Sequence, residues 1–340
     1  MKVAVIGLGM ASKPHLDALA ELSPQVSLQG VFARQAERRD AVASRLGVQS
    51  YKSLDAIASD DSVEAVLIIT PPDARRELVE SMAAAGKAIL MEKPVERTLD
   101  AASGLVELCE AADVPLGIVF QHRFRKGAQH LARLIEIGSL GTVSAARVQL
   151  PWWRPQAYYD APGRGTLAHD GGGVLITQAI HVLDYLLSIM PPVTAVQTMN
   201  TTTPIHTMEA EDFSVSGLQF SGGAMASVVA TTAGFPGGLE TIEIDGTLGS
   251  ARLEAGELQV NWHDGHEECV GEVSGTGGGA DPMAFPCDWH RDLIADFVQS
   301  VKNGTAPRVT GREALNVHRL LDAMQRSSQT GQRVTVESQY

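Results

Sequence analysis

Up to about Phe120, short apolar runs alternate with longer segments of helical periodicity. Val3–Ile6, Val26–Ala33, Val63–Ile69, Ala88–Met91 and Leu116–Phe120 carry apolar side chains at successive positions. That pattern belongs to strands covered on both faces, hence to a parallel sheet. Helical segments lie between them, running to about Leu22, over Leu78–Ala85 with Gly86 as its stop, and over Asp100–Ala112. The βαβ alternation predicts a parallel sheet with helices on both faces. Beyond Gln121 the pattern changes. A helix over Gly127–Ile137 ends at Gly138 and Gly141, a strand follows over Thr142–Leu150, and a long helix over Val174–Ser188. From Val193 to Val273, short alternating strands are divided by Ser221-Gly222-Gly223, Asp245-Gly246 and Asp264-Gly265, which are hairpin signals. The expected product is a large, mostly antiparallel sheet, closed by helices over Trp289–Val301 and Gly311–Ser328.

A length of 340 residues favours two domains. The boundary is placed between 1–121 and 122–340, an α/β domain followed by an α+β domain. The formal charge of −13 disfavours nucleic acid and anionic membranes as partners. No apolar run is long enough to cross a bilayer. Lys2 leads directly into a strand, which leaves no room for a signal peptide. Cys109, Cys269 and Cys287 are distant and odd in number, which suggests a reducing, cytoplasmic setting without a disulfide framework. Gly275–Gly279 reads as a flexible loop.

Candidate chemistry sits at strand ends. Gly7-Leu8-Gly9-Met10-Ala11-Ser12 joins the first strand to a helix. Glycines there let the backbone approach a pyrophosphate, which the free N–H groups of the helix start then bind. This makes the first domain a Rossmann domain. The second strand ends without the acid that holds the ribose of NAD; Ala33 stands there, followed by Arg34 and, on the next helix, Arg38. Arginine in place of a carboxylate favours a 2′-phosphate, so NADP is expected over NAD. Arg39 is expected on a solvated helix face. Thr70-Pro71-Pro72 shapes a loop after another strand, and Glu92-Lys93-Pro94 ends the Ala88–Met91 strand. Ligands of open parallel sheets bind beyond such carboxyl ends. Lys93 is therefore a candidate for proton transfer, and Pro94 is a candidate for a cis bond.

In the second part, Gln121-His122-Arg123-Phe124 leaves the last parallel strand. Trp152-Trp153-Arg154-Pro155, Tyr158-Tyr159 and Arg164 place indoles, phenols and guanidinium groups in one loop, a wall suited to a sugar or an acid. Asp170-Gly171-Gly172-Gly173 opens the long helix, whose glycines imply close backbone approach. Thr177, His181, Asp184 and Tyr185 share one face of it, with Gln178 beside them. His181 is a candidate acid or base. His263, His266 and Cys269 invite a metal reading, but the two histidines flank an Asp-Gly turn and are better seen as a cross-strand pair. No metal is expected.

The glycine turn with His15, Thr70-Pro71, Glu92-Lys93-Pro94, the run Gly171 to Asp184, and Asp292–Phe297 through Pro307 together resemble the glucose–fructose oxidoreductase, inositol dehydrogenase and MocA (Gfo/Idh/MocA) family. Arg75 stands where many members have histidine, and Thr177 where many have an acid. The resemblance implies catalysis by Lys93 with His181. It also implies an open sheet face that pairs with another subunit, giving a homodimer or homotetramer. The cofactor-binding positions are then Gly7, Gly9, Met10, Ala11, Ala33, Arg34, Arg38, Thr70, Pro71, Glu92 and Lys93. The substrate-binding positions are Arg123, Arg154, Tyr159, Arg164, Thr177, Gln178 and His181. The expected activity is hydride transfer between NAD(P) and a secondary alcohol or ketone of a sugar, polyol or derivative. The alternatives are reduction of a carbonyl, imine or double bond, and a non-catalytic dinucleotide-sensing regulator of the same fold.

Overall fold

The computed structural model describes residues 1–274 and 286–337, so Gly275–Gly279 lies outside the described residues. The chain forms two units.

The first unit contains Met1–Val119 and Cys287–Leu315. Its strands are β1 (Lys2–Ile6), β2 (Ser27–Phe32), β3 (Gln49–Ser50), β4 (Ala65–Ile68), β5 (Ala88–Glu92) and β6 (Leu116–Val119). All are parallel, in the order β3-β2-β1-β4-β5-β6. The strand order reverses between β1 and β4, which makes the carboxyl edge there the ligand crevice of this architecture. The connecting helices include α1 (Ser12–Glu21), α2 (Ala36–Leu46), α3 (Leu54–Ala58), α4 (Arg75–Ala84) and α5 (Leu99–Ala111). Val3–Ile6, Ala65–Ile68 and Ala88–Met91 are buried throughout, as apolar runs without alternation require. The sequence reading assigns everything after residue 121 to the second domain, whereas the polypeptide returns to the first unit at Cys287. The helix Asp288–Asn303 packs on α1, and Phe297 lies against Gly117 of β6. An amphipathic stripe shows that a helix buries one face, not which unit receives it.

The second unit is built from the rest of the described chain, from Phe120 and from Asn316 onward. Its strands are β7 (Val143–Pro151), β8 (Val193–Thr201), β9 (Phe213–Phe220), β10 (Met225–Thr231), β11 (Thr241–Gly246), β12 (Gly249–Glu254), β13 (Glu257–Trp262), β14 (Glu267–Val270) and β15 (Val334–Thr335). They form one sheet in the order β14-β13-β12-β11-β7-β10-β9-β8-β15. Neighbours are antiparallel except β7 and β10. The helix α6 (Lys126–Glu136) packs on β12 and β13, and Gly127 sits where a Cβ would meet the Gly256 carbonyl oxygen at 2.4 Å. Elsewhere on the sheet, Met199 and Met225 are exposed. The expected turn at Asp245-Gly246 falls instead at Thr247-Leu248. Gly246 is the last residue of β11, where a Cβ would lie 2.1 Å from the Leu140 carbonyl oxygen, so glycine serves close approach there rather than the turn. His263 and His266 occupy the β13–β14 turn itself and are exposed, rather than pairing across strands. The hairpin stays closed because the Trp262 amide donates to the His266 carbonyl. Among the described residues, no helix is long and apolar enough to cross a membrane. The three cysteines are free thiols.

Candidate active site

In the first unit, the ends of β1, β4 and β5 lie side by side at the carboxyl edge. Gly7 has φ +104°, and a Cβ would lie 2.4 Å from the Ile69 carbonyl oxygen, so this turn needs glycine. Gly9 is exposed with open space where a side chain would be. Ser12, at the third small position, closes the turn by donating its amide and its hydroxyl to the Gly9 carbonyl, at 3.1 and 2.7 Å. Among the described residues, the Gly9, Met10 and Ala11 amides donate to no acceptor. Unsatisfied amides at a helix start, beside the exposed Gly9 and Met10, fit a pyrophosphate.

Beyond β2, Ala33 is half-buried, while Arg34 and Arg38 are exposed. Arg39 is not on a solvated face as the sequence suggested. It is buried, and its guanidinium donates to the Ser50 hydroxyl at 3.0 Å, to Asp40 at 3.1 Å and to the Ala33 carbonyl at 3.4 Å. These acceptors satisfy the buried charge and tie the end of β2 to α2 and β3.

Thr70 and Pro71 follow β4, and Lys93 follows β5 through a cis Lys93–Pro94 bond. The Glu92 carboxylate accepts the Lys93 amide at 3.1 Å and meets His15 Nε2 at 2.8 Å. The His15 ring meets His290 edge-on, with centroids 4.8 Å apart. Ligand-type atoms of His15, Glu92 and His290 all lie within 4.8 Å of one another. Burial alone would raise the Glu92 carboxyl. The hydrogen bond from His15, the His15 charge and that of Lys93 outweigh it and hold it at about 2. Burial, with His15 beside it, pulls His290 down to about 3. At neutral pH the cluster is thus a carboxylate next to a neutral imidazole at His290. His15 was noted in sequence for its place after the glycine turn, but nothing in the sequence marked His290.

In the second unit, His181 lies on α8 (Ile180–Ile189; α7 is the short turn Gln156–Tyr159). The expected single helix is divided, because Leu175–Ala179 winds as a π-helix before the α-helix begins. Such a turn inserts a residue and rotates what precedes it, so Thr177 and His181 do not keep the α-helical spacing assumed from sequence. The Thr177 hydroxyl donates to the Gly173 carbonyl at 2.5 Å and also meets the buried Gln178 amide. Close backbone approach at the glycine run is real, and the approaching chain is the protein's own: a Cβ on Gly173 would lie 1.7 Å from the Glu211 carbonyl oxygen. The Glu211 carboxylate accepts the Gly173 and Leu175 amides at 3.2 and 3.1 Å, capping the helix start. Burial raises the Glu211 carboxyl against the pull of those bonds. No local motif announces a cap supplied from so far along the chain.

His181 is buried between rings. The His122 imidazole stacks on it at 4.9 Å and 22°, and Phe120 meets it edge-on at 5.9 Å. Arg125 donates to His122 Nε2 at 2.6 Å and pairs with Glu240 at 2.7 Å, both buried. A guanidinium only donates, so His122 Nε2 is the acceptor of this bond. Arg123 clasps Asp184 with two bonds of 2.8 and 2.7 Å, one helical turn from His181. The candidate substrate wall is packed: Arg154 is buried with its guanidinium over the Trp152 and Tyr158 rings, and the Tyr159 and Thr232 hydroxyls share a 2.6 Å hydrogen bond. Arg164 is half-exposed over Tyr158, and its guanidinium lies 3.6 Å from Asp170.

Comparison with known proteins matches residues 1–120 to the Gfo/Idh/MocA oxidoreductase family with its NAD-binding Rossmann fold, and residues 128–252 to a C-terminal domain of that family. The chain is 26% identical to a D-apiose dehydrogenase of Paraburkholderia graminis, over 99% of this chain and 90% of that one. It is 28% identical to a D-xylose 1-dehydrogenase (NADP+) of Haloferax volcanii, over 90% and 91%. Among solved structures, the WlbA dehydrogenase of Bordetella pertussis, in complex with NADH and UDP-GlcNAcA, superposes with a TM-score of 0.84 at 26% identity, over 99% of each chain.

Proposed function

Because the chain belongs to the Gfo/Idh/MocA oxidoreductase family, we propose that it transfers hydride between NAD(P) and a secondary alcohol or ketone of a sugar, a polyol or a derivative. The observation that carries this reading is the shared carboxyl edge of β1, β4 and β5. There the glycine turn with its unsatisfied amides, the Thr70 loop and Lys93 stand at adjacent strand ends. Relatives named as dehydrogenases of apiose and xylose support the substrate class. When bound, the nicotinamide accepts or gives the hydride. The chain's own residues do the rest. Gly7, Gly9, Met10 and Ala11 hold the pyrophosphate, and Thr70, Pro71 and Glu92 border the nicotinamide end. Lys93 takes the hydroxyl proton in oxidation and returns it in reduction. His181 is the second proton-transfer residue, and Arg123, Arg154, Tyr159, Arg164, Thr177 and Gln178 are the substrate-binding residues. Incubating the protein with each cofactor and a panel of sugars and polyols tests the reading. Reduced nicotinamide is expected with at least one member, and its absence with all of them contradicts it.

NADP is the cofactor this site favours. Arg34 and Arg38 are exposed beyond β2, no acid stands at its end, and Arg39 holds the Ala33 carbonyl. Arg34→Ala should weaken NADP binding by about 1–3 kcal/mol, the worth of a charge-assisted contact, and leave NAD binding nearly unchanged. Calorimetric titration of both cofactors checks this, and equal losses would remove the assignment. The exposed Met199 and Met225 support pairing of the large sheet with a second copy, as a dimer or tetramer in the cytoplasm, where free thiols persist. Light scattering at micromolar concentration should show the oligomer; a monomer throughout would refute it.

A further inference from the structure

Arg75 begins α4, and its side chain is buried to 1% exposure. Its fork reaches two loops at once. Nε and one terminal nitrogen donate to the Thr70 carbonyl at 3.1 and 2.8 Å. The other terminal nitrogen donates to the Pro94 carbonyl and, at 3.4 Å, to that of Val95. The nitrogen that serves Thr70 also lies 3.4 Å from the Lys93 carbonyl. Burial pulls this guanidinium down to about 10, with the charges of Glu92, Glu96 and Asp73 opposing, so it stays charged at neutral pH.

Burying a cation among main-chain carbonyls is costly unless the geometry saturates its donors. Here the rigid, planar fork does so, and no other side chain offers five donors in one plane. The peptide groups on both sides of Lys93 are consequently fixed. Its N–H is held by the Glu92 carboxylate and its C=O by Arg75. Fixing both peptides fixes the direction in which the Lys93 side chain leaves the backbone. The same guanidinium locks that segment to Thr70, the loop at the end of the neighbouring strand.

We propose that Arg75 is a positioning residue for the reaction: it couples the Thr70 loop to the Lys93 segment and aims Lys93 at the substrate. This rests on the reading of Lys93 as the proton-transfer residue. Misplacing a reacting group by about an ångström can cost about 10²-fold in rate. Arg75→Gly should therefore lower kcat by between about tenfold and 10²-fold, expressed per folded molecule with the folded fraction taken from a separate thermal denaturation. Added guanidinium at millimolar concentration should restore part of the rate by refilling the vacated space, whereas ammonium and urea should not. Arg75→Lys should remain slow, because an ammonium group cannot fork across both loops. Should Arg75→Gly fail to fold, Arg75→Gln, which keeps a donor amide, takes the same test. Unchanged kcat in a folded Arg75 variant, or loss that guanidinium and ammonium relieve equally, overturns the proposal. Lys93→Met is assayed in parallel. If it keeps normal turnover, the reading of Lys93 fails; if it is slow while the Arg75 variants are not, the positioning role alone fails.

Discussion

Turnover in Lys93→Met is expected to fall at least about 10²-fold, the usual lower size of a general acid–base contribution, while dinucleotide binding survives. Lys93 follows β5 at the ligand edge, with both flanking peptides held by Glu92 and Arg75. Methionine keeps most of the apolar stem, and those two holds are made by the main chain of residue 93, so they persist in the variant. What is lost is the ammonium group and its proton. The proposed pyrophosphate site at Gly7–Ala11 is on another loop of the same edge and should bind as before. His181→Ala, built alone and together with Lys93→Met, shows whether the two residues act as a unit. If they do, the losses will fail to add. Steady-state kinetics with calorimetric binding of the cofactor checks the expectation, and near-normal turnover in Lys93→Met would make Lys93 structural.

Gly173→Ala is expected to destabilise the protein by at least about 3 kcal/mol, the upper end of overpacking costs. The added methyl would lie 1.7 Å from the Glu211 carbonyl oxygen, with two further Glu211 backbone atoms at 2.6 and 2.8 Å. All three are main chain, so no side-chain rotation relieves the clash. Relief would require Glu211 to withdraw. That would cost the 2.8 Å bond from the Val174 amide to the Glu211 carbonyl and the carboxylate cap on Gly173 and Leu175. His181 is carried by the helix that starts there, so activity should fall with stability. Urea denaturation measures the change, and a shift below about 0.5 kcal/mol, ordinary for a surface substitution, would mean that Glu211 moves freely.

The parallel sheet and the hairpins were legible because strand burial and turn chemistry are local signals. Val3–Ile6 and Ala88–Met91 are apolar at every position, and Ser221-Gly222-Gly223 and Asp264-Gly265 mark turns by residue type. The glycine turn and Lys93 were legible for the same reason: each is a short motif at a strand end. What escaped depended on contacts distant in sequence. His290 meets His15 from the far end of the chain, and Glu211 caps a helix nearly forty positions earlier. Arg39 looked like a surface cation and Arg75 was marked only as standing where many relatives have histidine, yet both are buried and main-chain carbonyls accept from them. Periodicity also concealed the π-helical turn at Leu175–Ala179, since apolar spacing does not distinguish it from an α-helix.

The most direct test of hydride transfer uses a sugar or polyol that the protein oxidises, deuterated at the alcohol carbon. After a single turnover with NADP or NAD, the reduced nicotinamide is isolated and its deuterium content measured by mass spectrometry. One deuterium per reduced nicotinamide is the expected result. Deuterium released to solvent, or retained by the substrate while product forms, would contradict hydride transfer and with it the activity assigned to this chain.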